Sequence, residues 1–165
     1  MNQHASPNSS RMIVVSNRLP FTIKGKSEDL RFIPSVGGLS TGISSYLDSH
    51  NNSSSHSRNF MWVGWPGSVI DPAWRKEIKS KSLAEFNALP VFLSEENIEN
   101  YYLGFCNRTI WPLFHYFQAY TKYNEDYWKH YIRVNRIFYE TLLELLEPGD
   151  ILWIHDFHLM LLPKL

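Results

Sequence analysis

Met12-Ile13-Val14-Val15-Ser16-Asn17-Arg18 is the stretch from which the fold can be read. Four apolar residues run without a break, three of them β-branched, and polar residues close the run. A strand with one wet face would alternate. A continuous run of this length reads as a strand buried on both faces, as in a parallel sheet. The pattern recurs at Phe60-Met61-Trp62-Val63-Gly64-Trp65, ended by Pro66-Gly67, over residues 89–93, and at Ile151-Leu152-Trp153-Ile154 before His155-Asp156.

Helical signals fill the intervals. Asp71-Pro72 is an N-cap followed by proline at the first helical position. Ser94-Glu95-Glu96 opens a helix that carries Tyr101 and Tyr102, with acids at the positive end of its dipole. Residues 124–147 form the strongest helical pattern, with Trp128, Tyr131, Phe138, Leu142 and Leu145 at helical spacing and Pro148-Gly149 as the stop. Residues 21–24 and 30–33 flank Gly25-Lys26 as a hairpin, and Gly37-Gly38 opens a helix running to Ser49. The polar stretches 1–10 and 50–59 are expected to be a disordered tail and a surface loop. Short strands alternating with helices predict an α/β fold, a Rossmann-like open, mostly parallel sheet with helices on both faces. In such sheets ligands bind outside the carboxyl ends of the strands. The rule nominates Ser16-Asn17-Arg18, Gly64-Trp65, the segment after Leu93, and His155-Asp156.

Bulk properties narrow the partners. With 165 residues, 44% hydrophobic and 19% charged, the chain can bury one substantial core. Its formal net charge is zero, without the basic excess of a nucleic-acid or anionic-membrane binder. Aromatic content is 15%, with six tryptophans, which suits sugar faces as well as cores. The single cysteine, Cys106, allows no intrachain disulfide, and no apolar run is long enough to span a bilayer. A cytoplasmic protein is expected.

Four constellations carry candidate chemistry. Arg18 follows the first strand and offers a planar, permanent cation to a phosphate, or pairs with a surface carboxylate. Gly37-Gly38 before a helix lets backbone approach an anion, or is simply a turn. It is neither a dinucleotide fingerprint nor a P-loop. Tyr101-Tyr102, Trp111-Pro112, Phe114, His115 and Tyr116 crowd one region, and composition alone favours core packing over a sugar pocket. In His155-Asp156-Phe157-His158, the carboxylate suits sugar hydroxyls better than a metal, and burial against backbone amides is the alternative.

Six segments occur in one order: Val14 to Pro20, Gly37 to Leu39, Gly64 to Gly67, Trp111 to Tyr116, Tyr131 to Asn135, and Ile154 to Leu159. Together they resemble the N-terminal half of the trehalose-6-phosphate synthases, from about Arg11 to the last residue. The resemblance implies the N-terminal, acceptor-side domain of a GT-B glycosyltransferase over residues 11–165, ending before the donor-binding domain. It implies retaining transfer of glucose from UDP-glucose to glucose 6-phosphate, without metal or cofactor. By the same resemblance Arg18 and Tyr102 hold the acceptor phosphate, and Gly37 and Gly38 close over the donor diphosphate. Trp111 stacks near the acceptor sugar, and Asp156 holds its hydroxyls. Trp65 and His158 match positions near the cleft. Phe157 departs from the family's usual tyrosine.

Alone, the chain is expected to be inactive and to need a separate C-terminal half or a homo-oligomer. Two alternatives stand beside this reading. One is a non-catalytic glucose 6-phosphate-binding regulator; the other is a related synthase using ADP-glucose or glycerol 3-phosphate. The apolar segment 158–165 is expected to lack cover.

Overall fold

The computed structural model describes residues 11–25, 30–35, 38, 41, 42, 45 and 60–165. The expected tail, the 50–59 loop and Gly37 lie outside them. Strand β1 (Met12–Arg18) is central, and β4 (Phe60–Trp65) and β6 (Ile151–Ile154) pair with it on either side, both parallel. Strand β5 (Ala88–Pro90) extends the sheet beyond β4, giving the order β5-β4-β1-β6. Strands β2 (Phe21–Lys24) and β3 (Arg31–Pro34) make the expected hairpin, antiparallel and outside the main sheet.

Alternate residues of each central strand enter different cores, which is why the runs are apolar throughout. Ile13 and Val15 of β1, Val63 and Trp65 of β4 and Leu89 of β5 pack on one face. Val14, Trp62 and Ala88 pack on the other. Helix α1 (Arg75–Phe86) and the hairpin cover this second face through Ile78, Phe21 and Ile23. The first face is covered by α2 (residues 95–114) and α3 (Glu125–Leu143), through Tyr101, Cys106, Tyr131, Val134 and Phe138. Helices thus lie on both faces, as the continuous runs predicted. Burying a side chain such as Val15, wholly inaccessible here, contributes about 1.5–3 kcal/mol.

The caps form where the sequence places them. Asp71 accepts from the Ala73 amide ahead of Pro72–Trp74, and Ser94 Oγ accepts from the Asn97 amide. Asn124 caps α3 through the Asp126 amide. That helix ends at Leu143 rather than 147. The amides of Leu145 and Leu146 both turn back onto the Leu142 carbonyl, and Arg11 takes the Leu145 carbonyl, tightening the last turn before β6. The third strand covers Ala88–Pro90 instead of 89–93: its register with β4 runs from Trp62 against Ala88 to Gly64 against Pro90, and the Val91 amide closes it on the Gly64 carbonyl.

Strand β6 corrects a further expectation. It was predicted as buried, yet Ile151, Leu152 and Trp153 are exposed. Among the described residues β6 pairs only with β1, so it forms the sheet's edge. Segment 158–165 is mixed: Leu159 and Leu162 are buried, while Met160 and Leu165 are exposed.

Strand order sets the site. From β1 the chain moves to β4 and then β5 on one side, and later returns to place β6 on the other. The order reverses between β1 and β6. A crevice opens outside their carboxyl ends at such a reversal.

Candidate functional site

The carboxyl end of β1 is irregular. Val15 pairs with Val63, but the next partner of β4 is Arg18 against Trp65, so β1 carries one extra residue there. Such a bulge bends the strand and re-aims its side chains. Gly64 permits it: a Cβ there would lie 2.9 Å from Arg18 C, Leu19 N and Ser16 O. No side chain fits against backbone at that distance.

Arg18 leaves this bulge to lie over the Trp65 ring, its Cζ 4.8 Å from the ring centroid. Its Nη2 donates to Thr22 Oγ1 at 3.0 Å. Its Nε is buried without a hydrogen-bond partner, and among the described residues the guanidinium meets no carboxylate. A buried, unpaired cationic donor beside a cleft is costly unless a ligand completes it.

An unbroken row of rings continues from Trp65. Tyr102 is 5.7 Å away, His158 is 6.0 Å beyond Tyr102, Phe157 stacks on His158 at 4.2 Å, and Trp111 is 6.0 Å from Phe157. Tyr102 and Trp111 thereby reach the same dipeptide although nine residues separate them. In an α-helix nine residues are about two and a half turns, which puts such a pair on opposite sides. Over Ile98–Ile110 the helix is instead wound wide, in π form, and the Trp111 amide closes it by bonding Cys106 O, five residues back. In that winding nine residues make about two whole turns. Trp111 is half-exposed at 50%, and its ring lies 3.7 Å from that of His115 at a tilt of 35°. Composition favoured core for this aromatic region; Tyr101 is core, while Trp111, Phe114 and Tyr116 face solvent.

Asp156 follows β6 with φ +73° and ψ 167°. That backbone region belongs almost to glycine alone and costs a non-glycine residue on the order of 1–3 kcal/mol. Its Oδ1 accepts from the Phe157 amide at 2.7 Å, and Oδ2 lies 3.3 Å from His158 Nδ1. Nδ1 is buried, and this approach is too poorly aligned to satisfy it as a hydrogen bond. Burial lowers the His158 pKa, opposed by the Asp156 charge, so the ring stays neutral near pH 7.

The segment holding Asp156 and His158 is itself held by residues that sequence reading left without roles. Tyr131 Oη donates to the Phe157 carbonyl at 2.7 Å and accepts from the Met160 amide. Asn135 Nδ2 donates to the His158 carbonyl, and its Oδ1 accepts from the Leu161 amide. Both stand four apart on one buried face of α3, a spacing visible in the Tyr131 to Asn135 motif. Tyr101, adjacent to Tyr102, is wholly buried.

Arg18, Trp65, Tyr102, His158 and Asp156 are therefore contiguous, with Trp111 joined through Phe157. Gly38 is helical and exposed, with open space around its α-carbon, and no described contact joins it to this row. Among the described residues no three His, Cys, Asp or Glu side chains gather as a metal site. No helix among them is long and apolar enough to cross a membrane.

Comparison with known proteins places this geometry. Residues 10–165 match glycosyltransferase family 20. An alpha,alpha-trehalose-phosphate synthase (UDP-forming) from Emericella nidulans is 39% identical over 99% of this chain and 31% of its own length. The E. coli trehalose-6-phosphate enzyme bound with UDP-2-fluoro glucose superposes with a TM-score of 0.66 at 30% identity, over 94% of this chain and 29% of that one. A Burkholderia xenovorans synthase in complex with glucose-6-phosphate superposes with a TM-score of 0.64 at 26% identity, over 94% and 30%.

The chain belongs to glycosyltransferase family 20. Its fold is that of the N-terminal part of the GT-B trehalose-phosphate synthases, and it spans about a third of the length of the relatives it matches.

Proposed function

We propose that this chain is the acceptor-side domain of a trehalose-6-phosphate synthase. It takes part in retaining transfer of glucose from UDP-glucose to glucose 6-phosphate. The observation that carries the reading is Arg18, a cationic fork with a buried, unpaired Nε at the end of a row of sugar-compatible rings. Relatives in complex with glucose-6-phosphate and with UDP-2-fluoro glucose support the choice of small molecules.

Each residue then has a chemical task. Arg18 binds the acceptor phosphate by charge-assisted hydrogen bonds, with Tyr102 as a second donor and Trp65 beneath. Trp111 offers a flat apolar face to the acceptor sugar. Asp156, its backbone fixed in a strained form, accepts from acceptor hydroxyls and aligns the attacking oxygen. Neutral His158 braces that carboxylate. Gly37 and Gly38 supply backbone amides for the donor diphosphate. Orientation of this kind lowers the barrier by removing the entropy of encounter. Beyond those two amides, most of the stabilisation of the departing diphosphate comes from a C-terminal half or a partner copy in the cytoplasm.

Titration calorimetry with glucose 6-phosphate, with and without UDP-glucose, tests the reading. Arg18→Ala should weaken acceptor binding by about 1.5–3 kcal/mol, the size of a charge-assisted hydrogen bond. Absence of binding, or equal binding by the variant, removes Arg18 from an acceptor site. Binding with no transfer even when a donor-binding half is supplied would favour a regulatory sensor.

A further inference from the structure

We infer that Gly67 is a positioning residue: it reserves the space in which the Arg18 guanidinium sits, and so sets where the acceptor's phosphate can bind. The inference rests on the reading of Arg18 as the phosphate ligand.

Gly67 ends the Gly64 to Gly67 segment with φ +82°, which alone makes it a turn glycine. The space around it adds an independent constraint. A Cβ at this position would lie 2.2 Å from Arg18 Nη2, 2.7 Å from Cζ and 3.1 Å from Nε. The first two are closer than a side-chain carbon can approach, and the flexible partner must move. The guanidinium is held by three things: the Trp65 ring at 4.8 Å, Thr22 Oγ1 at 3.0 Å, and the packing that buries Nε. Displacing it by the missing distance breaks the Thr22 hydrogen bond and lifts the cation from the ring. The fork's direction then changes, and a planar ligand of two-pronged recognition is sensitive to direction.

The surrounding loop is built to keep this arrangement. Trp65 Nε1 donates to the Ser68 carbonyl at 3.0 Å, Ser68 Oγ donates to the Ile23 carbonyl at 2.6 Å, and the Ile23 amide donates to the Pro66 carbonyl. The loop after β4 is thereby fastened to β2, which also carries Thr22. Gly67 has little freedom to retreat, so a substituted side chain would displace Arg18 rather than the loop.

A double-mutant cycle read by NMR titration with glucose 6-phosphate tests this. Gly67→Ala and Gly67→Asn should each weaken binding roughly tenfold or more, the loss of one misdirected charge-assisted contact. Asparagine tolerates left-handed backbone, so Gly67→Asn separates the Cβ contact from turn strain. In an Arg18→Ala background the same substitutions should change the residual affinity less than about twofold, because the group they act through is gone. Equal losses in both backgrounds, or no loss beside intact Arg18, overturns the inference while leaving Arg18 in its role. If Arg18→Ala itself leaves affinity unchanged, the acceptor-phosphate reading falls first and this inference with it.

Discussion

The Tyr101 hydroxyl donates a 2.9 Å hydrogen bond to Asn17 Oδ1, wholly inside the protein and across 84 residues of sequence. Asn17 precedes Arg18, and the same hydroxyl approaches the His158 carbonyl at 3.4 Å. One tyrosine thus fastens the two strand ends between which the crevice lies. Burial raises its pKa well above the usual tyrosine value, so it remains a donor at any working pH.

Tyr101→Phe should therefore cost about 1–3 kcal/mol of stability, because Asn17 is left with a buried acceptor unmet. Tyr102→Phe should leave the urea midpoint nearly unchanged and weaken glucose 6-phosphate binding instead. Two adjacent tyrosines would then separate stability from affinity. A lowered midpoint for both, with equal binding, would contradict the assignment.

Asp156 predicts an inverted order of substitutions. Glycine in place of alanine ordinarily destabilises, yet at φ +73° only alanine retains the strain. Both variants lose the hydrogen bond to the Phe157 amide equally. Asp156→Gly should be more stable than Asp156→Ala by about 1 kcal/mol or more, as read by denaturant unfolding. Both should lose acceptor binding.

His158 predicts a titration. Its folded-state pKa lies below 6.5, chiefly through burial, with Asp156 acting in the opposite sense. An unfolded chain then binds the proton more readily. The histidine's contribution to stability is complete above the unfolded value and shrinks as pH falls through it. Asp156→Asn should lower the His158 pKa further, measurable by NMR of the ring. A rise on that substitution would show that the carboxylate does not face the imidazole.

At the other end of β1 and β6, Arg11 Nε and Nη2 bond both oxygens of Asp150, at 2.9 and 2.7 Å. The guanidinium holds the Asp150 pKa below its ordinary 3.8. That stabilisation is whole above the unfolded value and is lost as pH falls through the lower, folded one. With Arg11 partly exposed, Asp150→Asn should cost about 1 kcal/mol at neutral pH. The difference from the parent should fade on acidification below pH 3.8.

The sheet was legible because strands covered on both faces must be apolar throughout. Met12 to Val15 and Phe60 to Val63 show this directly. Strand β6 carries the same signature but sits at the edge, since composition records what a strand is built to bury and not what covers it. The candidate site was legible at strand ends: Arg18, Trp65 and Asp156 were nominated by the carboxyl-end rule, while His158 came from the resemblance. Tyr131 and Asn135 were visible as a motif, yet their task is to bond backbone carbonyls and amides distant in sequence, and no local pattern encodes that. The contact of Gly67 with Arg18 was equally hidden, because a turn accounts for such a glycine well enough in sequence.

The wide winding of residues 98–110 makes the interval between Tyr102 and Trp111 a matched quantity, like the teeth of a vernier. Removing or inserting one residue there would not merely shorten or lengthen a helix; it would turn one ring away from the other by roughly a quarter of a revolution. The meeting of the two rings is therefore set by the number of residues between them as much as by which residues those are.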